Sequence, residues 1–251
     1  MQTSSINIEL ISKLKSANKI LFFTGAGISA ESGIPTFRGK DGIWNKLKPE
    51  ELANFNAFLK NPDLVWEWYQ YRRKIVNETN PNKGHYAIKE FENYYKEVNV
   101  VTQNVDNLHR RAGTKNIFEL HGNIERNYCV DCYKNFDNVE SDNSKVPHCK
   151  YCGGLIRPDV VWFGEMLPQE IFSEAEQKAK MCDICFVVGT TGIVYPAAYI
   201  PMIAKENGAF LVEINLNETE ISDKMDLSLF GKSGEILPLI ITKVREMKLK
   251  N

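Results

Sequence analysis

Short, nearly unbroken apolar runs recur along the chain, separated by longer stretches in which apolar residues return every three or four positions. Residues 19–24 (KILFFT), 98–102 (VNVVT), 184–189 (ICFVVG) and 209–215 (AFLVEIN) are runs of the first kind. A strand covered on both faces of a sheet reads this way, because neither face meets water. Residues 82–96, 168–180, 197–207 and 235–250 carry the helical period. Strands alternating with helices predict an α/β domain built on a mostly parallel sheet.

Two segments break the rhythm. Residues 37–80 are aromatic-rich and helix-patterned without a strand-like run, and residues 123–158 are polar, cysteine-bearing and rich in turns. Both read as modules inserted between sheet strands. At the N-terminus, apolar residues from Ile6 to Leu14 are interrupted by Glu9 and Lys13, which predicts an amphipathic first helix and not a signal peptide. No run reaches the length of a membrane span, so a soluble, cytoplasmic protein is expected. With 31 basic and 32 acidic residues the net charge is −1, and nucleic-acid binding, which rests on a basic surface, is not expected as a general property.

Six cysteines stand at 129, 132, 149, 152, 182 and 185. Cys129-Val-Asp-Cys132 and Cys149-Lys-Tyr-Cys152 have the spacing of a zinc ribbon, in which two tight turns each present two thiolates to one tetrahedral ion. Two redox pairs are the competing reading. With four sulfur ligands no position is left for water or substrate, so the metal would be structural. His148 is adjacent but surplus. Cys182 and Cys185 share the C-x-x-C spacing but lead into an apolar strand, and read as core residues.

The first strand runs into Gly25-Ala26-Gly27-Ile-Ser29-Ala-Glu31-Ser-Gly-Ile-Pro-Thr36-Phe37-Arg38-Gly39. Glycines after a strand let backbone N–H groups approach a diphosphate, although a G-x-G turn alone is equally a plain strand–helix connection. The full G-x-G-x-x-G of hydride-transfer enzymes is absent. Further motifs follow in order: Thr102-Gln-Asn-Val-Asp106, Glu119-Leu-His-Gly122, the paired C-x-x-C, Arg157-Pro-Asp-Val-Val-Trp-Phe-Gly-Glu165 and Gly189-Thr-Thr191. This series, spanning residues 19 to about 240, resembles the sirtuin family.

The resemblance implies a Rossmann-like NAD-binding domain of residues 1–36, 81–122 and 159–251. A helical insert (37–80) and a zinc-ribbon insert (123–158) would form the small domain, with the active site between the two. NAD would be a co-substrate: the bond between nicotinamide and ribose is cleaved, and the acyl group of an acyl-lysine ends on ADP-ribose. His121 matches the general base, a task suited to imidazole's near-neutral pKa. Gly25, Ala26, Gly27, Ser29, Glu31, Thr36, Phe37, Arg38 and Trp44 match the diphosphate and nicotinamide side, and Gln103, Asn104 and Asp106 the ribose and nicotinamide. Gly189, Thr190, Thr191, Asn215, Leu216, Asn217 and Ser233 match further cofactor positions, the last four toward the adenosine. Val160, Trp162, Phe163, Gly164 and Glu165 match the segment that pairs with an extended peptide substrate. His85 and His109 match packing positions without a catalytic role. Asn107 replaces a common glycine, and asparagine tolerates left-handed backbone.

In Leu64-Val-Trp-Glu-Trp-Tyr69-Gln-Tyr-Arg72-Arg73, Tyr69 and Arg72 share a helix face. Taken by themselves they equally describe a packed tyrosine beside a surface arginine paired with an acid. Within the family frame they resemble the pair of the desuccinylase and demalonylase subgroup, where an arginine grips a carboxylate through two hydrogen bonds, and Ala53 matches the small residue that widens the acyl pocket. Expected partners are acylated lysines of proteins, and a monomer is expected. Transfer of ADP-ribose to protein is one alternative activity; a zinc-ribbon nucleic-acid-binding protein is another of a different class.

Overall fold

The computed structural model describes residues 7–37, 42–43, 48–136, 139 and 144–249. Arg38 and Trp44 lie outside the described residues. The chain opens with α1 (Ile8–Ser16), β1 (Lys19–Thr24) and α2 (Gly27–Ala30). Helices α3 (Pro49–Leu52), α4 (Phe55–Lys60) and α5 (Pro62–Glu78) follow, then α6 (Lys83–Phe91), β2 (Glu97–Thr102), α7 (Leu108–Arg111) and β3 (Ile117–Glu119). Strands β4 (Gly122–Cys129), β5 (Asn135–Phe136) and β6 (Ile156–Val160) come next. The remainder is α8 (Gln169–Met181), β7 (Ile184–Val188), α9 (Tyr199–Glu206), β8 (Phe210–Asn215), β9 (Leu227–Phe230) and α10 (Ser233–Lys248).

Six strands form one parallel sheet in the order β3-β2-β1-β7-β8-β9. Its central strands are mostly apolar because the pleat sends successive side chains into two different cores. On β1, Ile20 and Phe22 enter the core beneath α1, α6 and α10, while Leu21 and Phe23 enter the one beneath α8 and α9. Cys182 and Cys185 lie in that second core, as their sequence context predicts. Burial pushes the Cys182 thiol up to about 12 and raises that of Cys185, so neither is a ready thiolate. A third core joins the helices of residues 49–78 to the antiparallel sheet β5-β4-β6.

The helix over 82–96 is shorter than its pattern predicts. It ends at Phe91, and the chain turns through residues 92–96. Tyr95 stacks on Phe91 and donates its hydroxyl to the Leu14 carbonyl at 3.1 Å, fixing the turn against α1. Residues 123–158, read as turns, contain three strands whose polar sequence hides the two-residue alternation. Among the described residues, no helix is long and apolar enough to cross a membrane.

Candidate active site and metal centre

The strands run parallel, but the order in which they are added switches direction at β1, which has β2 on one side and β7 on the other, so the C-terminal ends of these strands open a crevice. The turn after β1 packs directly on the turn after β7. Gly27 donates its N–H to Gly189 O at 2.8 Å, and a Cβ on Gly27 would stand 2.6 Å from the Gly189 Cα. A Cβ on Gly25 would stand 2.7 Å from that of Thr190. These glycines are required by close approach of two backbones.

The loop after β2 completes the floor. Gln103 donates its amide to Thr190 Oγ1 at 2.9 Å, and Asn104 donates to Gly25 O at 3.0 Å and Ser29 Oγ at 3.2 Å. The Ser29 hydroxyl, fully buried, donates to Asp106 Oδ2 at 2.7 Å, and Leu108 N–H reaches the other carboxylate oxygen at 3.0 Å. Burial raises the pKa of Asp106, and these two donors work against that rise. Ser29 therefore braces the floor from inside. Asn107 is left-handed, with φ of 61°.

His121 lies between β3 and β4. Its backbone carbonyl accepts from Val161 N–H at 3.0 Å, and its Nδ1 lies 2.9 Å from the Gln103 carbonyl. A carbonyl only accepts, so Nδ1 carries the proton and Nε2 keeps its lone pair. Burial lowers the pKa from 6.5, with the bond to Gln103 opposing. The ring is thus a neutral base aimed by its neighbour.

The residues matched to the adenosine side lie around the C-terminal end of β8 and the start of α10. Asn215 donates to Thr190 O at 3.0 Å, and Leu216 and Thr191 are exposed. Glu31 and Ser233 meet each other: Glu31 Oε1 accepts from Ser233 Oγ at 3.1 Å and from Gly234 N–H at 2.8 Å at the start of α10.

A second pocket wall comes from α5, started by Asn61 accepting from Leu64 N–H, with Pro62 in the first turn. Tyr69, Arg72 and Ala53 are all buried. Trp162 Nε1 donates to the Tyr69 hydroxyl at 2.8 Å, leaving the phenol proton free to be donated elsewhere, and burial raises the Tyr69 pKa. The Arg72 guanidinium lies over the Phe37 ring at 4.7 Å. Among the described residues nothing hydrogen-bonds to Arg72. Burial lowers its pKa while Tyr69 and Asp106 favour its charge, and a ligand carboxylate would supply acceptors to its N–H groups.

The segment after β6 joins this wall, since Phe163 N–H bonds to Ala53 O at 2.9 Å. Val160 is buried and pairs with Gly122. Gly164 is exposed and left-handed. Glu165 forms a two-pronged ion pair with Arg157, at 2.5 and 3.0 Å, and also accepts from Trp162 N–H at 2.7 Å. Arg157, 1% exposed, lies 3.4 Å from the Trp162 ring centroid. It was not singled out from the sequence, although an arginine within an apolar motif that also holds a glutamate is a signal for such a pair.

The Sγ atoms of Cys129, Cys132, Cys149 and Cys152 all lie within 4.8 Å of one another, with Cys129–Cys152 at 3.4 Å and Cys132–Cys149 at 3.7 Å. A tetrahedral ion with bonds of ~2.3 Å requires sulfur–sulfur edges of about 3.8 Å. The four thiols fit Zn²⁺. Each knuckle ends in a left-handed residue, Tyr133 (φ 56°) or Gly153 (φ 81°). His148 serves its turn, Nδ1 lying 2.9 Å from Gly153 O.

Comparison with known proteins agrees with this geometry. The chain belongs to the Sir2 family, the sirtuins: the family's model matches residues 25–196, more than half its length. It is 49% identical over 248 residues to an NAD-dependent protein deacylase of Pyrococcus abyssi, covering 96% of this chain and 98% of that protein. A solved complex of a Sir2 homologue with NAD superposes with a TM-score of 0.90 at 44% identity, covering 97% of this chain and 95% of the other. A Sir2 complex with a p53 peptide and NAD⁺ superposes with a TM-score of 0.84 at 33% identity, over 95% and 98% of the two chains.

Proposed function

We propose that this chain is an NAD-dependent protein-lysine deacylase that releases nicotinamide and passes the acyl group to ADP-ribose, and that it prefers acyl groups ending in a carboxylate, such as succinyl and malonyl. The deacylase reading follows from family membership and from relatives near 50% identity over almost the whole chain. The observation that carries the acid preference is Arg72, a buried cation over the Phe37 ring, with Tyr69 and Asp106 as its charge neighbours and no hydrogen-bond acceptor among the described residues. A carboxylate would satisfy it with two parallel bonds, and the Tyr69 proton would add a third.

NAD, when bound, supplies a glycosidic bond to break and a ribose to receive the acyl group. The residues around it divide the remaining work. The turns at Gly25 and Gly189 bring backbone close to the dinucleotide. Gln103 aims His121, whose Nε2 accepts a proton from a ribose hydroxyl. Ser29, Asn104 and Asp106 keep the floor rigid, which holds reacting groups in line. Exposed backbone around Gly164 offers an edge to an extended peptide. Cys129, Cys132, Cys149 and Cys152 would hold zinc as a fold element. On this reading residues 1–36, 81–122 and 159–251 form the cofactor domain, and 37–80 with 123–158 the small one.

The test is a panel of acetyl-, malonyl-, succinyl- and glutaryl-lysine peptides assayed with NAD for nicotinamide release, with mass spectrometry of the products. Loss of the acyl mass, fastest for the acidic groups, is expected. A gain of ADP-ribose on a protein acceptor would point to the transferase instead, and uniform rates across the panel would remove the acid preference.

A further inference from the structure

β4 does not run straight past β6. Asn123 pairs with Asp159 and Asn127 with the adjacent Pro158, so Ile124, Glu125 and Arg126 bulge out without partners on β6. Bulges re-aim side chains and free backbone groups, and this one begins two residues after Gly122, beside His121.

Several of the freed groups are taken by other parts of the molecule, and Glu125 N–H turns back to Asn123 Oδ1 at 3.0 Å. Ile124 N–H bonds to Val105 O at 2.9 Å, in the loop that carries Gln103, Asn104 and Asp106. The Ile124 carbonyl accepts from Arg73 Nε at 2.6 Å, and Arg73 Nη2 reaches Arg126 O at 3.4 Å and the Asn127 side chain. Arg73 follows Arg72 on α5, so the residue beside the acyl-facing cation is tied to the bulge. The Arg126 side chain points the other way. Its Nη1 lies 2.8 Å from the buried Glu119 and its Nε 2.8 Å from Asp159. Glu119 stands two residues before His121.

We propose that the bulge at Ile124–Arg126 is the spacer that sets the acyl pocket against His121 and the cofactor loop, with Arg73 and Arg126 as its positioning residues. Their hydrogen bonds go to the bulge, to Glu119 and to Asp159. Arg73 fixes where α5, and with it Tyr69 and Arg72, stands relative to the loop. Arg126 clamps the strand end that carries His121 to β6. The inference rests on the deacylase reading but not on the acid preference, because the spacing serves any acyl-lysine.

The test uses zinc-loaded full-length protein with acetyl- and succinyl-lysine peptides. For Arg73→Met the KM for both peptides should rise about tenfold while the KM for NAD stays within twofold. Arg73→Lys, which keeps one donor for the Ile124 carbonyl, should recover part of that loss. Arg126→Met should lower kcat about tenfold. The double variant should carry both changes, a raised peptide KM and a lowered kcat. KM values that rise equally for peptide and NAD, or a lowered Tm with unchanged kinetic constants, would each overturn the proposal. If Arg73→Met does not accumulate folded, Arg73→Lys and Arg126→Met carry the same comparison. Hydrogen exchange at the Ile124 amide gives a readout independent of turnover. It should accelerate more than tenfold in the Arg73 variants while α10 is unchanged, and unaltered exchange would overturn the spacer. A wild-type protein inert toward every acyl-peptide would instead sink the deacylase reading.

Discussion

At the level of single residues, the site depends on a few atoms whose bonding leaves them one task. His121 has its Nδ1 proton committed to Gln103, so His121→Asn should abolish nicotinamide release from acyl-peptide while the Tm stays within a few degrees. Burial keeps the ring neutral to below its ordinary 6.5, which predicts an acid limb of kcat/KM centred under that value. A limb centred above 7 in the pH–rate profile would contradict the assignment. Arg72→Met should cut kcat/KM for a succinyl-peptide roughly 10- to 100-fold, the worth of a charged hydrogen-bonded contact. The acetyl-peptide should lose far less, and equal losses would remove the carboxylate role. Gly27→Ala should cost about 1–3 kcal/mol by thermal unfolding, because its methyl group has backbone and not a flexible side chain to displace.

Elements differed in how far the sequence revealed them, for reasons of burial. β1, β2, β7 and β8 are covered on both faces, and their apolar runs are unambiguous. β3 has three residues and β9 is half-buried at the sheet edge, so neither leaves such a run. In β4, the sequence Gly-Asn-Ile-Glu-Arg-Asn-Tyr-Cys reads as polar turn because the bulge breaks its alternation. The metal ligands were legible from spacing alone, whereas His121, Asn104 and Asp106 stood out only within the family's ordered motifs. Arg73 stayed hidden because the tertiary fold alone brings Ile124 to it, whereas Arg157 and Glu165 share one motif that carried a signal for their pair. The ribbon's two knuckles would share one ion, so its order should depend on metal. Adding a strong chelator should release zinc, collapse the ribbon and stop turnover, while far-ultraviolet circular dichroism keeps most of the signal from the parallel sheet and its helices. Complete unfolding in step with zinc release would contradict the ribbon's standing as a separate element.

Across the whole molecule, buried histidines tie stability to pH. Burial depresses His109 to about 4 and pulls His85 well below 6.5, with each imidazole set against the other at 4.9 Å between centroids. Below the unfolded pKa the unfolded chain takes protons that the native state refuses. Stability should therefore fall as pH drops from about 6.5 toward 4, by up to about 1.4 kcal/mol per pH unit for each such histidine. Denaturant titrations between pH 7 and 4 would measure the slope, and His109→Gln should flatten it. A stability that is level over this window would refute the burial assigned to the pair.

The meeting of Gly27 with Gly189 has a consequence for the chain as a continuous thread. One strand and its two flanks bring the early and late halves of the polypeptide together along a single line, and a dinucleotide laid over that line touches both. Such a ligand acts as a suture. Its binding should slow the opening of β2 and of β8 together, so that cohesion between the halves follows the cell's supply of NAD.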